Sequence, residues 1–261
     1  MSRPDLPGAR TLLGVSLKMY FDYQRTLAWS REVAEFARND EALLGGDVAL
    51  CVFPDFLSLA AVAEIFAETP VSVGAQNIFW EDAGAYTGEV SGAQLRAVGA
   101  QLAEIGHAER KRLFGESAQT VALKTAAAVR NGLVPVICVG ESGMDGADDA
   151  VRVCLAQLDN ALSRLSAGLN TVIVAYEPEW AIGADAAAAP DRIRSVCAAL
   201  GRQLAASAVV GSSWVIYGGS AGPGLLSSLG PDVHGLFLGR SAHDPGVLRT
   251  VVDEAVRRVP S

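Results

Sequence analysis

Charged groups and glycines recur where the apolar runs of this chain end. The stretch TVIVAYEPEWAIG, residues 171–183, finishes an apolar run with one carboxylate, Glu177, and stops at Pro178. Proline fixes φ, which gives a stiff start to a loop that could move as a lid. Glu177 is either a carboxylate placed for chemistry or a solvated charge at a strand end. His107, one of three histidines, follows the run QLAEIG. It is either a hydrogen-bonded structural ring or, if a helix begins just after it, a ring kept neutral by the helix N-terminus. Lys18 lies between Leu17 and Met19. It is either a surface ammonium or a fixed positive charge for an anionic substrate. Gly218-Gly219-Ser220 and Gly239-Arg240 follow the last two apolar runs. Glycines there let backbone N–H groups come close to an anion. His234 lies within a strand run and His243 precedes a helical one, so both read as structural.

These residues need a scaffold that brings distant turns together. Apolar runs predict strands over 11–16, 47–53, 71–75, 101–106, 133–138, 171–176, 212–217 and 233–238. Amphipathic segments predict helices over 22–38, 56–67, 92–100, 117–131, 147–166, 189–207, 222–229 and 244–258. Runs that are apolar almost throughout suit strands buried on both faces. Strands alternating with helices imply a parallel sheet, and eight units fit a closed (β/α)8 barrel, with residues 1–261 as one domain. The weakest strand is QLAEIG, because it contains Glu104. In such a barrel the turns after the strands converge on one face, where this architecture keeps its chemistry, and those after the seventh and eighth are its frequent phosphate site.

Composition narrows the partners. A net charge of −8, with no basic cluster, argues against nucleic acid. Cys51, Cys138, Cys154 and Cys197 are widely spaced without a CxxC pair, which suggests reduced thiols in a cytoplasmic protein. The N-terminus MSRPDLPGAR has no long apolar core, so no leader is expected. No apolar run reaches the roughly 18 residues that a membrane span needs.

Four motifs occur in order: GAQNIFWEDAGAYTGEVS, GHAERKRLFGES, AYEPEWAIG and IYGGS. With their spacing they resemble the triosephosphate isomerase family over almost the whole chain. The resemblance implies a (β/α)8 barrel and an intramolecular aldose–ketose isomerase that needs neither metal nor organic cofactor. It implies that Glu177 is the catalytic base, His107 the neutral electrophile and Lys18 the stabiliser of an anionic enediolate. Glu109 supports that lysine. Ser16, Gly183, Ser220, Gly239 and Arg240 fall at substrate-binding positions. Residues 178–188 match a mobile lid, in which Trp180 exchanges Tyr176 for Glu141 on closure; Cys138 is a further supporting residue. Thr87-Gly88-Glu89, in the 76–89 loop, matches the tip through which members of the family form homodimers.

The departures concern substrate contacts. The family's first-strand motif usually reads Asn-Trp-Lys-Met-Asn, whereas this chain has Ser16-Leu17-Lys18-Met19-Tyr20. The shorter Ser16 leaves room for a water or a larger substrate. Glu179 stands where the lid hinge is usually apolar. Ala184-Asp185-Ala186-Ala187 replaces a Thr-Gly-Lys-Thr-like segment. Arg240 replaces the second glycine of a phosphate turn, where its guanidinium either holds phosphate or changes its seat. Lys18, His107 and Glu177 are retained, so the chemistry is expected to survive. The favoured substrates are dihydroxyacetone phosphate and glyceraldehyde 3-phosphate, with a place in glycolysis and gluconeogenesis. The rivals are L-erythrulose 1-phosphate isomerisation, which a branch of the family performs, and a non-catalytic barrel that binds phosphorylated metabolites.

Overall fold

The computed structural model describes residues 8–144, 146–165 and 169–258. Residues 1–7, part of the stretch read for a leader, lie outside these, as does residue 166 of the helix expected over 147–166. The described residues form eight strands: β1 (Thr11–Ser16), β2 (Val48–Phe53), β3 (Ser72–Ala75), β4 (Leu102–Ile105), β5 (Val134–Val139), β6 (Leu169–Tyr176), β7 (Val210–Tyr217) and β8 (Gly235–Leu238). They pair in chain order, all parallel, and β8 bonds back to β1 to close the barrel. Each expected strand therefore exists, with ends moved by at most a few residues.

The helices form an outer layer: α1 (Tyr23–Ala37), α2 (Glu41–Leu44), α3 (Leu59–Phe66), α4 (Gly92–Ala97), α5 (Ala108–Phe114), α6 (Ala118–Arg130), α7 (Ala147–Leu162), α8 (Pro190–Ala206) and α9 (Pro245–Arg257). Their starts obey local chemistry. Asp22 and Ser117 accept first-turn N–H groups, Ser91 and Gln94 form a capping box, and Pro190 and Pro245 open α8 and α9. One expectation needs correction. Residues 222–229 are not a helix; only the turn Leu226–Ser228 forms. Gly222-Pro223-Gly224 breaks the pattern, and Gly224 has a φ of 84°, outside helical space. The segment after His107 is a helix, α5, although its seven residues carry too little apolar periodicity to predict.

The core has two parts. Between sheet and helices lies one large apolar layer, with Leu13, Val52, Val174 and Leu248 fully buried. Inside the barrel, Leu12, Phe53, Leu102, Ile173, Trp214 and Phe237 pack together. Glu104 lies two residues beyond Leu102 on β4, so it shares the inward face, where it meets a polar partner described below. That is why one charge does not prevent the strand. The four cysteines are buried and free. Among the described residues, no helix is long and apolar enough to cross a membrane.

Candidate active site

The turns after β1, β4, β6, β7 and β8 surround a cavity of about 440 Å³. Its lining includes Ser16, Lys18, His107, Glu177, Ser220 and Arg240, with Glu109, Gly183 and Gly239 also at its wall. Cys138, Glu141, Tyr176 and Trp180 do not line it.

Lys18 leaves β1 with a φ of 49°, an uncommon conformation for a side-chain-bearing residue. Gln76 holds it there: its amide donates to the carbonyl oxygens of Lys18 at 3.1 Å and Phe53 at 2.9 Å. The Lys18 ammonium donates to Glu109 Oε1 at 2.8 Å. Burial opposes its charge, but the hydrogen bond and charge of Glu109, then Glu177 and Glu104, outweigh that and raise its pKa. The site therefore carries a fixed cation.

His107 is the N-cap of α5, and its Nδ1 accepts the Glu109 backbone N–H at 3.1 Å. A nitrogen that accepts carries no proton, so the ring is neutral with its hydrogen on Nε2. Nε2 lies 3.5 Å from Glu177 Oε2. The helix start that the sequence left open is thus present, and it fixes the tautomer.

Glu177 follows β6, and its N–H donates to the Val139 carbonyl at 2.8 Å. Its side chain is 5% exposed, yet Oε2 has no hydrogen-bond donor within the protein. Gly218 makes room for it, because a Cβ at 218 would fall 2.6 Å from Glu177 Oε1. Cys138 lies behind Glu177, and burial first, then the charges of Glu177 and Glu104, push its thiol pKa well up.

Residues 178–188 fold over the cavity. Glu141 accepts from Trp180 Nε1 at 3.1 Å, Tyr176 Oη at 3.1 Å and Arg192 Nη2 at 2.9 Å. Trp180 is therefore on the partner expected for a closed lid. Ser220 Oγ lies 2.8 Å from both the Ala181 and Ala184 carbonyl oxygens. Tyr217 Oη accepts the Ala188 N–H at 2.8 Å. Arg240 Nη2 donates to the Gly183 carbonyl at 3.4 Å, so this guanidinium touches the lid. Gly183 has a φ of 73°, which favours glycine at that bend.

Three residues escaped the sequence reading. Glu104 accepts the Ser16 hydroxyl at 3.1 Å, one layer below the cavity. Its signal was there: a lone charge in an otherwise apolar strand. Burial pushes its carboxyl pKa up, to about 7, with the charge of Glu177 adding to that and the charge of Lys18 opposing it. Gln76 stands directly after the run 71–75, inside the motif GAQNIFWEDAGAYTGEVS, but nothing there showed that it holds Lys18; Arg192, within a helix, had no signal.

A neutral imidazole and a bare carboxylate beside a fixed cation, at the mouth of a parallel barrel, define a class of enzyme. It shifts protons between neighbouring atoms of an anionic, carbonyl-bearing substrate. The chain belongs to the triosephosphate isomerase family, whose profile matches residues 11–255. It is a sugar-phosphate isomerase of that family, so its substrate is a small phosphorylated sugar. It is 51% identical over 245 residues to an L-erythrulose-1-phosphate isomerase of Pectobacterium atrosepticum, covering 93% of this chain and 95% of that protein. Proteins of the same description from Rhizobium rhizogenes and Brucella abortus biovar 1 are each 39% identical, covering 89% and 88% of this chain and 90% of each relative.

Proposed function

We propose that this enzyme isomerises L-erythrulose 1-phosphate. The observation that carries the chemistry is the convergence of Lys18, His107 and Glu177 on one cavity. The relatives support the choice of substrate, because the triose reading favoured by the motifs is not the description they carry.

The substrate has its carbonyl at C2 and a hydroxyl at C3. Glu177 removes the proton from C3, and the C3–H electron pair forms the C2–C3 double bond. His107 Nε2–H polarises the carbonyl oxygen as negative charge develops there. The enediolate is stabilised by Lys18. His107 moves a proton between the two oxygens, and Glu177 returns its proton to C2. The carbonyl then stands at C3, and no electrons are gained or lost overall. A triose phosphate undergoes the same steps and yields an aldose, whereas the four-carbon ketose yields another ketose.

Backbone N–H groups at Gly183, Ser220 and Gly239 hold the phosphate, with Arg240 bridging it to the lid. Closure excludes water from an enediolate that would otherwise expel phosphate. Glu109 keeps Lys18 aligned, while Cys138, Tyr176, Glu141 and Trp180 support Glu177 and the lid from behind. The enzyme is a cytoplasmic homodimer formed through the 76–89 loop.

The test compares kcat/KM for L-erythrulose 1-phosphate with that for glyceraldehyde 3-phosphate on purified enzyme. A clear preference for the tetrulose phosphate is expected. A clear preference for the triose restores the housekeeping reading and a place in glycolysis. Binding of both without turnover of either leaves a non-catalytic barrel.

A further inference from the structure

Inside the barrel, at the edge of the cavity, two buried polar side chains pair with each other. Ser16 is 4% exposed and Glu104 3%, and the Ser16 hydroxyl donates to Glu104 Oε2 at 3.1 Å. Ser16 lines the cavity and Glu104 does not. A buried carboxylate is expensive to keep, and an apolar side chain of similar volume would pack against Leu102, Val136 and Phe237 without that penalty.

The hydrogen bond has a direction, and the direction matters. A hydroxyl has one proton. While Ser16 spends it on Glu104, only lone pairs remain to face the cavity. The rest of the wall is rich in donors: the Lys18 ammonium, His107 Nε2–H, and the Arg112 and Arg240 guanidinium groups. Donors suit a phosphate and a carbonyl oxygen. A substrate hydroxyl that is not reacting needs an acceptor instead. Glu177 is reserved for the carbon-bound proton, Glu109 is engaged by Lys18, and the other carboxylates of the wall, Glu179 and Asp185, belong to the lid.

We infer that Glu104 is a positioning residue that holds the Ser16 hydroxyl as an acceptor for the C4 hydroxyl of a four-carbon ketose phosphate. A triose phosphate has no such group, so the pair sets substrate length. This rests on the isomerase reading above. The charged and titratable groups facing Glu104 are Lys18 from the end of β1, His107 after β4, Cys138 on β5 and Glu177 after β6. With a carboxyl pKa pushed up to about 7 by burial, proton uptake by Glu104 returns the Ser16 proton to the cavity and removes the acceptor.

The experiment measures kcat/KM for L-erythrulose 1-phosphate and for glyceraldehyde 3-phosphate in Ser16→Ala, Glu104→Leu and the double variant. The ratio of the two constants is expected to fall about 10- to 100-fold in each single variant, the loss of one hydrogen bond to a charge-backed acceptor. The double variant is expected to be no worse than the worse single one. In wild type the ratio is also expected to fall as pH drops through about 7, and to lose that dependence in Glu104→Gln. Parallel loss on both substrates in the single variants, or an unmoved ratio, overturns the inference and leaves the pair structural. If wild type fails to turn over the tetrulose phosphate at all, the functional reading falls first, a result that wild type alone reports.

Discussion

Glu177 is buried, faces His107 Nε2 across 3.5 Å and has an oxygen without a protein donor. Such a carboxylate keeps its lone pairs for a substrate proton. Shortening it by one methylene in Glu177→Asp displaces the base by roughly 1 Å, and kcat is expected to fall about 100-fold with KM little changed. An unaltered kcat would mean that another group is the base. Glu104 supports a different prediction. Its folded pKa of about 7 exceeds the ordinary 4.5, so the folded protein binds the proton more tightly. Stability contributed by that proton is present at low pH and is lost as pH rises from the unfolded value through about 7. Glu104→Gln should therefore be more stable than wild type at pH values above 7, by up to about 3 kcal/mol, and gain little near pH 4. Thermal melts at the two pH values read the difference. Much of this site was legible residue by residue: Lys18, His107 and Glu177 stand in motifs at strand ends. Glu104 was visible as a lone charge, but its role was not, because an inward-facing charge looks in sequence like a flaw in a strand.

At the scale of elements, one carboxylate joins the lid to β6 and α8. Glu141 accepts from Trp180, Tyr176 and Arg192, which come from the lid, β6 and α8. Trp180→Phe removes one donor and leaves the others, so a modest loss is expected: kcat/KM down about 5-fold, with stopped-flow fluorescence or product release reporting a looser lid. Gly218→Ala puts a methyl group against the Glu177 carboxylate, 2.6 Å from Oε1. Its kcat should fall about as far as that of Glu177→Asp, while the melting temperature barely moves. Away from the site, Glu116 holds both Arg110 and the buried Lys124, and Lys124 reaches Asn77 Oδ1 at 2.7 Å. This ties α5 and α6 to the base of the 76–89 loop. Glu116→Gln strands two cations and should cost about 3 kcal/mol, roughly 10 °C in Tm. The strands were readable because burial on both faces makes them apolar throughout. The region 222–229 misled because its leucines keep a helical spacing that Gly222, Pro223 and Gly224 forbid. The short α5 was hidden by its polar sequence, since its cap residue His107 is not one of the usual capping types.

At the scale of the molecule, large apolar side chains remain open to water near the barrel mouth. Met19 is 94% exposed and Leu57 87%, with Tyr86 at 44% on the 76–89 loop. A second copy of the chain would cover such side chains. Sedimentation is expected to give two chains per particle for wild type and one for Thr87→Arg; a wild-type monomer would withdraw the dimer. The barrel itself has a further consequence. Its closing seam pairs Leu12 with Gly235 and Val15 with Leu238, segments from near the two ends of the described chain. During synthesis β1 can pair with β2 early, but its other edge stays open until β8 has been made. For most of translation the nascent chain therefore presents an unpaired apolar edge, the kind of surface that chaperones shield and neighbouring nascent chains can join. The last strand made is the one that seals that edge.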